Sequence, residues 1–192
     1  MGTRHREKFT TKRVRFITTT CNEWLNIFIN ESYFLILRDS LHFVNTQYNS
    51  DILAYVLMPN HIHLVNLFED GQDISDYMRD FKKFTSGEIR RKIEQDQRLE
   101  LLNLLRYIER EQKFKIWKDR FDDVYLDGIN NIQTKINYIH QNPVRKGLVK
   151  YAVDYPYSSA EFYSNGEPSF LNVTNYLDAL GWGNHYGFGQ IR

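Results

Sequence analysis

The sequence predicts an α+β fold, a ferredoxin-like antiparallel sheet with helices packed on one face. Segments with strand and helix patterns follow one another in the order β-α-β-β-α-β-α, and a hairpin lies in the middle of that order. The composition agrees, because 42% of the 192 residues are hydrophobic and 26% are charged. Such a chain can bury its own core, which excludes collagen-like, coiled-coil and wholly disordered proteins.

Three strands and one helix are predicted in the first half of the chain. Residues 13–20 are rich in β-branched and aromatic side chains, which favours a strand. Apolar residues recur at spacings of three and four over 31–47, which predicts a helix. The apolar runs 51–58 and 61–68 are separated only by a Pro-Asn pair, which indicates a β-hairpin.

The second half is predicted to contain helices and a further strand region. Asp73 is a good N-cap for a helix that runs to about residue 93. Residues 114–126 are typical of one strand or two short ones. A helix is expected over 129–141, ending before Pro143, and a short one near 158–163.

The chain is expected to form one main domain over residues 13–163. A basic N-terminal arm precedes it at 1–12, and a C-terminal tail follows at 164–192. Within the domain, the charged and Leu-rich stretch 94–112 is interpreted as a helical insertion or arm.

The charge distribution, the cysteine content and the lack of long apolar runs limit the kinds of protein that this chain can be. The net charge is only +1, but the first fifteen residues are strongly basic and could contact phosphates. The alternative for this arm is a solvated, disordered tail. The single cysteine, Cys21, excludes an internal disulfide and a zinc site with several cysteines. No apolar run is long enough for a membrane helix or a signal peptide, so a soluble, intracellular protein with no membrane partner is expected.

Two histidines alternate along the third predicted strand. His61 and His63 should point to the same face, about 7 Å apart, while Ile62 and Leu64 face the core. Two imidazoles in this arrangement can hold one divalent ion. The alternative is a half-exposed polar strand face, and in either case we expect the pair on an exposed face of the sheet.

A tyrosine and two polar residues share a flank of the last long helix. Tyr138 and Asn142 are four residues apart, and Lys135 lies one turn before Tyr138. These three side chains could face a pocket between the helix and the sheet. The alternative is an ordinary amphipathic helix with a tyrosine at its boundary.

Both motifs resemble those of a known family. The runs YVLMPNHIHLV at 55–65 and YIHQNPVRKGLV at 138–149 resemble the single-tyrosine HUH transposases, and more narrowly their REP-associated tyrosine transposase branch. The stretch YPYSSA at 155–160 is also similar to that branch. The resemblance covers about residues 13–163, which it implies are the catalytic domain.

The resemblance implies a nucleophile, a metal site and a DNA substrate. Tyr138 would be the nucleophile that cleaves and rejoins single-stranded DNA through a 5′-phosphotyrosine. His61, His63 and Asn142 would hold Mg²⁺ or Mn²⁺. Function in DNA transposition and recombination follows, with single-stranded or hairpin DNA as partner, a location in the cytoplasm at the nucleoid, and a homodimer as a possible assembly.

Basic side chains are candidates for contacts with the DNA backbone. They are Arg13, Arg15, Arg79, Lys82, Lys83, Arg90, Lys135 and Arg145. The alternative for the row on the second long helix is a solvated helix face. Two other functions stay open: a non-catalytic, element-derived protein that binds DNA hairpins, and a metal-dependent phosphodiesterase that uses water as its nucleophile.

Overall fold

The structure is a computed structural model that describes residues 13–106 and 114–182. Its centre is a four-stranded antiparallel sheet with the strand order β2-β3-β1-β4. The strands are β1 (Arg13–Thr20), β2 (Asp51–Met58), β3 (His61–Phe68) and β4 (Asp122–Tyr125). The chain order and the two central strands, β1 and β3, are those of a ferredoxin-like sheet, so the predicted α+β class is confirmed.

Seven α-helices surround the sheet in the described part of the chain. They are α1 (Glu31–Gln47), α2 (Ile74–Gln95), α3 (Leu99–Leu104), α4 (Ile129–His140), α5 (Asn142–Arg145), α6 (Ala160–Asn165) and α7 (Tyr176–Ala179). None of these helices is long and apolar enough to cross a membrane.

The two long helices cover one face of the sheet, as predicted. Apolar residues of α1 and α2, such as Leu37 and Phe81, share one buried cluster with Ile62 and Leu64 of β3. Helix α4 lies on the opposite face, where Ile136 joins a second buried cluster with residues of β1, β2 and β3. The sheet therefore has two covered faces, and a side chain's position along a strand decides which helices it meets.

Most predicted boundaries agree with the structure because the underlying patterns are strong. Strands β1, β2 and β3 and helix α1 have the predicted bounds. Asp73 caps α2, since its side chain accepts a hydrogen bond from the backbone N–H of Ser75. Within 114–126 only β4 is a strand, and Trp117 joins the sheet through a single bridge to Cys21. Part of the 94–112 stretch, residues 107–112, lies outside the described residues.

The outer edge of β2 is bound by the segment that follows α5. Leu57 N–H donates to the carbonyl of Tyr157, and Ser159 N–H donates to the carbonyl of Tyr55. The hydroxyl of Tyr155 donates to the carbonyl of Leu57. The YPYSSA stretch is thus structural here, because it satisfies strand groups that would otherwise lack partners.

Candidate active site

The two histidines of β3 lie side by side on the face that α4 covers. The ring centroids of His61 and His63 are 4.8 Å apart. The alternation along β3 is as predicted, since Ile62 and Leu64 point into the opposite cluster. The expectation of an exposed face is wrong, because His61 and His63 are only 5% and 6% exposed. Neighbouring aromatic rings cover the pair, and strand periodicity alone does not reveal such a cover.

Each histidine is held by a hydrogen bond at Nδ1. The Nδ1 of His61 donates to Oδ1 of Asn60 over 2.7 Å, and the Nδ1 of His63 is 2.8 Å from the hydroxyl of Thr18. Thr18 lies directly opposite His63 in the register of β1 and β3. Because a carboxamide oxygen can only accept, His61 carries its proton on Nδ1. In both rings the bonded Nδ1 leaves Nε2 as the nitrogen that can ligate a metal.

The environment keeps both imidazoles neutral. Burial lowers the pKa of His61 to about 4, with a smaller contribution from the charge of Lys146. Burial also lowers the pKa of His63 to about 3, assisted by the nearby charges of His61, Arg145 and Lys135. A histidine binds a metal in its neutral form, so the pair does not need to lose protons at physiological pH.

The carboxamide of Asn142 completes a group of three donors. Asn142 begins α5 directly after the turn that ends α4, and it is buried. Its Nδ2 lies 3.5 Å from Nε2 of His61. No group of three or more His, Cys, Asp or Glu suited to a metal occurs within 13–106 and 114–182. Two imidazoles and one carboxamide nevertheless form a neutral donor set that could ligate a divalent ion and leave its charge available to an anionic phosphate.

Tyr138 of α4 lies beside this group and reaches solvent. Its side chain is 43% exposed, and its ring centroid is 5.6 Å from that of His63. Phe16 of β1 contacts both rings, with centroids 5.4 Å from His63 and 6.0 Å from Tyr138. The phenol is therefore fixed by its ring contacts while its surface stays accessible to a substrate.

Two cations lie close to the tyrosine ring. The Cζ of Arg145 lies 4.5 Å from the ring centroid of Tyr138, and the Nζ of Lys135 lies 5.5 Å from it. Arg145 also donates to the backbone carbonyl of Tyr138 over 2.7 Å, which ties α5 to α4. The structure thus brings together, at one edge of α4, a tyrosine hydroxyl, two neutral imidazoles, a carboxamide and two positive charges that could meet a phosphate.

This constellation has counterparts in known proteins. The family model described as "Transposase IS200 like" matches residues 9–142, which include His61, His63, Tyr138 and Asn142. The chain belongs to this family.

Relatives of this transposase family member agree with the assignment. It is 25% identical over 167 residues to a Haemophilus influenzae protein named "Putative REP-associated tyrosine transposase", covering 81% of this chain and 84% of the relative. It is 28% identical over 126 residues to the REP-associated tyrosine transposase of Escherichia coli, covering 65% of this chain and 62% of the relative.

A solved structure shares the fold. It is described as the REP-associated tyrosine transposase bound to a REP hairpin, with a TM-score of 0.62 and 21% sequence identity. The match covers 91% of this chain and 93% of the other.

The remaining basic residues predicted to contact DNA lie elsewhere in this transposase. Arg13 and Arg15 both lie on β1. Arg13 forms an ion pair with Asp70, and Arg15 forms one with Asp123. The four on α2 belong to the helix layer on the other face of the sheet: Arg79, Lys82, Lys83 and Arg90. Three of the four are engaged within the chain, in ion pairs with acidic residues of α2 or with backbone carbonyls of residues 118–120.

Two residues that hold the histidines were not predicted from the sequence. Thr18 lies in a run of three threonines, and only the strand register distinguishes the one that meets His63. Asn60 was interpreted as a turn residue. Its position directly before His61 was a usable signal, because a carboxamide there can reach the adjacent imidazole.

Proposed function

We propose that this transposase cleaves and rejoins single-stranded DNA through a 5′-phosphotyrosine at Tyr138. His61, His63 and Asn142 hold a Mg²⁺ or Mn²⁺ ion in this proposal. The observation that carries it is the placement of a half-exposed tyrosine against a buried, neutral pair of histidines in a chain of the IS200-like transposase family.

The covalent step exchanges one phosphate ester for another. The phenolic oxygen of Tyr138 loses its proton to solvent and attacks the scissile phosphorus. The bond from phosphorus to the 3′ oxygen breaks, and that oxygen takes up a proton and leaves as a 3′-hydroxyl. The new ester keeps the energy of the old one, so a 3′-hydroxyl can later attack it and rejoin DNA without a nucleotide cofactor.

The bound ion would supply charge neutralisation at the scissile phosphate. The chain's own side chains prepare the remainder of the site. Thr18 and Asn60 fix the imidazole rings, and the neutral donors leave the charge of the ion available. Arg145 and Lys135 both lie close to the ring of Tyr138, where they can bind non-bridging phosphate oxygens as the tyrosine attacks.

The substrate class follows from the exposure of the site and from the family. A tyrosine at the edge of a helix can reach a phosphate only when the backbone is pliable, which favours an unpaired strand. The solved relative with the same fold is bound to a REP hairpin, and we extend this partner to the present chain as DNA with a hairpin and a single-stranded flank. Its place of action would be the cytoplasm, at the nucleoid.

Covalent trapping tests the proposal directly. Labelled hairpin DNA with a single-stranded tail is incubated with Mn²⁺ and the protein, which is then denatured and examined for label on the polypeptide. The wild-type chain should become labelled, and Tyr138→Phe should not, because it lacks the attacking oxygen. Its ring contacts with His63 and Phe16 remain, so folding and DNA binding should change little.

Tyr125→Phe is the matched control. Tyr125 on β4 is 51% exposed and lies beside Arg15, so it resembles Tyr138 in exposure and in having a cationic neighbour. This variant should form the adduct at the wild-type level. Unchanged cleavage by Tyr138→Phe without an adduct would instead indicate a phosphodiesterase that uses water. Binding without cleavage by the wild-type chain would indicate a non-catalytic hairpin-binding protein.

A further inference from the structure

An exposed tryptophan extends the row of rings at the active site. The ring centroid of Trp24 is 5.9 Å from that of His61, the histidine that precedes His63 on β3. Trp24 is 55% exposed, an unusual fraction for the largest apolar side chain. The row therefore runs from an accessible tryptophan, past two buried histidines, to an accessible tyrosine.

The backbone holds Trp24 in a conformation that side chains rarely adopt. Glu23 and Trp24 have φ angles of 52° and 57°, in the left-handed region. Asn60 stabilises this arrangement, because its Nδ2 donates to the carbonyl of Trp24 over 3.2 Å while its Oδ1 accepts from His61. One side chain thus fixes both the tryptophan and a predicted metal ligand. Strained residues of this kind persist where the surrounding structure requires them, and they concentrate at functional sites.

A cation lies over the same ring. The Nζ of Lys118 is 4.8 Å from the ring centroid of Trp24. Lys118 is placed there by its backbone N–H, which donates to the carbonyl of Thr20 at the end of β1. An aromatic platform beside a lysine is the combination that binds an unpaired nucleotide, since the ring stacks on the base and the cation meets the phosphate.

We propose that Trp24 stacks on a base of the single strand adjacent to the scissile phosphate, with Lys118 contacting that nucleotide's phosphate. The inference rests on the proposed function, which places the scissile phosphate between Tyr138 and the histidines. The strand would then cross the row of rings from the tyrosine to the tryptophan. Stacking is tolerant of base identity, so Trp24 would fix the position of the strand more than its sequence.

A pair of substitutions at Trp24 distinguishes stacking on a base from mere shielding of His61 from solvent. Trp24→Leu keeps a large apolar side chain but cannot stack, whereas Trp24→Tyr keeps an aromatic ring. Affinities are measured for hairpin DNA with a single-stranded tail, in the Tyr138→Phe background so that no cutting occurs. Trp24→Leu should weaken binding about tenfold and Trp24→Tyr should restore most of it. Equal affinity of the Leu and Tyr variants would overturn the proposal.

An abasic scan locates the stacked base. One tail nucleotide at a time is replaced by an abasic sugar, and the Leu variant is compared with its parent on each DNA. When the abasic sugar is at one particular position, Trp24→Leu should cause no further loss of affinity, because the base that Trp24 stacks on is already absent. The same penalty at every position would mean that Trp24 acts only through the shape of the site, which would refute stacking.

The control is an exposed aromatic residue on the other face of the sheet. Phe43 of α1 is 51% exposed and stacks on Phe84 of α2. Phe43→Leu should bind DNA like its parent, and a tenfold loss there would contradict the assignment to Trp24. Since these readouts are affinities, they stand even if covalent trapping fails. If the wild-type chain formed no covalent adduct but the abasic scan still identified one position, the proposed chemistry would be rejected and the stacking site would be retained.

Discussion

Truncation of His63 should abolish metal binding and also lower stability, because the side chain is buried. Its ring contacts those of His61, Phe16 and Tyr138, and its Nδ1 is bonded to Thr18. Removing a buried ring of this size and its hydrogen bond costs about 2 to 3 kcal/mol. Since domains are typically stable by about 5 to 15 kcal/mol, His63→Ala should still fold. Lost cleavage alone would therefore be ambiguous between weakened folding and a missing ligand.

A thermal shift with Mn²⁺ resolves this ambiguity. An ion present at about one hundred times its dissociation constant stabilises the folded state by about 2.7 kcal/mol. For a chain of this size that corresponds to a rise in melting temperature of roughly 5 to 10 °C. The wild-type chain should show this rise. His63→Ala should melt at a lower temperature and show no rise.

His140→Ala provides the matched comparison. His140 is also a buried histidine, 7% exposed, and its Nε2 is 2.8 Å from the hydroxyl of Ser159. Its truncation should lower the melting temperature by a similar amount, but the rise with Mn²⁺ should persist. A full Mn²⁺ shift in His63→Ala would refute the assignment of His63 as a ligand. Loss of the shift in both variants would mean that general loosening of this region, and not the ligand, controls metal binding.

Two further outcomes are expected. Thr18→Val removes the hydrogen bond to His63 and should weaken Mn²⁺ binding about tenfold by calorimetry. Thr19→Val is its control: the buried hydroxyl of Thr19 has no partner among the described residues, so this change should leave Mn²⁺ affinity unaltered and should not destabilise the fold. Deletion of residues 1–12 should flatten the dependence of log affinity for DNA on log salt by about 0.7 for each single-strand phosphate that this segment binds, and by about 0.9 for each duplex phosphate. An unchanged slope would show that it binds none.

Local sequence patterns predicted the helices and strands, whereas the burial of the two histidines depends on tertiary contacts. The spacing of apolar residues gave α1 its bounds, and alternation along β3 placed the histidines on one face. Whether that face is exposed to solvent depends on α4, which packs across β2 and β3. This helix begins at Ile129, nearly seventy residues after the histidines. A strand pattern contains no information about that distant helix, so the pair was expected to be exposed.

The residues around Trp24 show a second limit of prediction. They form a short turn in which Glu23 and Trp24 have left-handed φ angles, and a turn of this kind leaves no periodic pattern to detect. Trp117 shows the opposite case. The structure buries its side chain, and its indole N–H donates to the hydroxyl of Thr85. Whether an aromatic side chain is buried or exposed depends on how the surrounding loops pack. Residue type and local spacing in the sequence do not reveal that packing.

The bonds along the outer edge of β2 have a consequence for assembly. An unpaired strand edge invites a strand from another molecule, and both ends of a four-stranded sheet normally offer one. Here one end is occupied by the chain's own segment around Tyr157 and Ser159. The other end, β4, is only four residues long and carries Asp122 and Asp123. Within the part of the chain that the structure describes, two copies would therefore gain little by joining their sheets edge to edge into one.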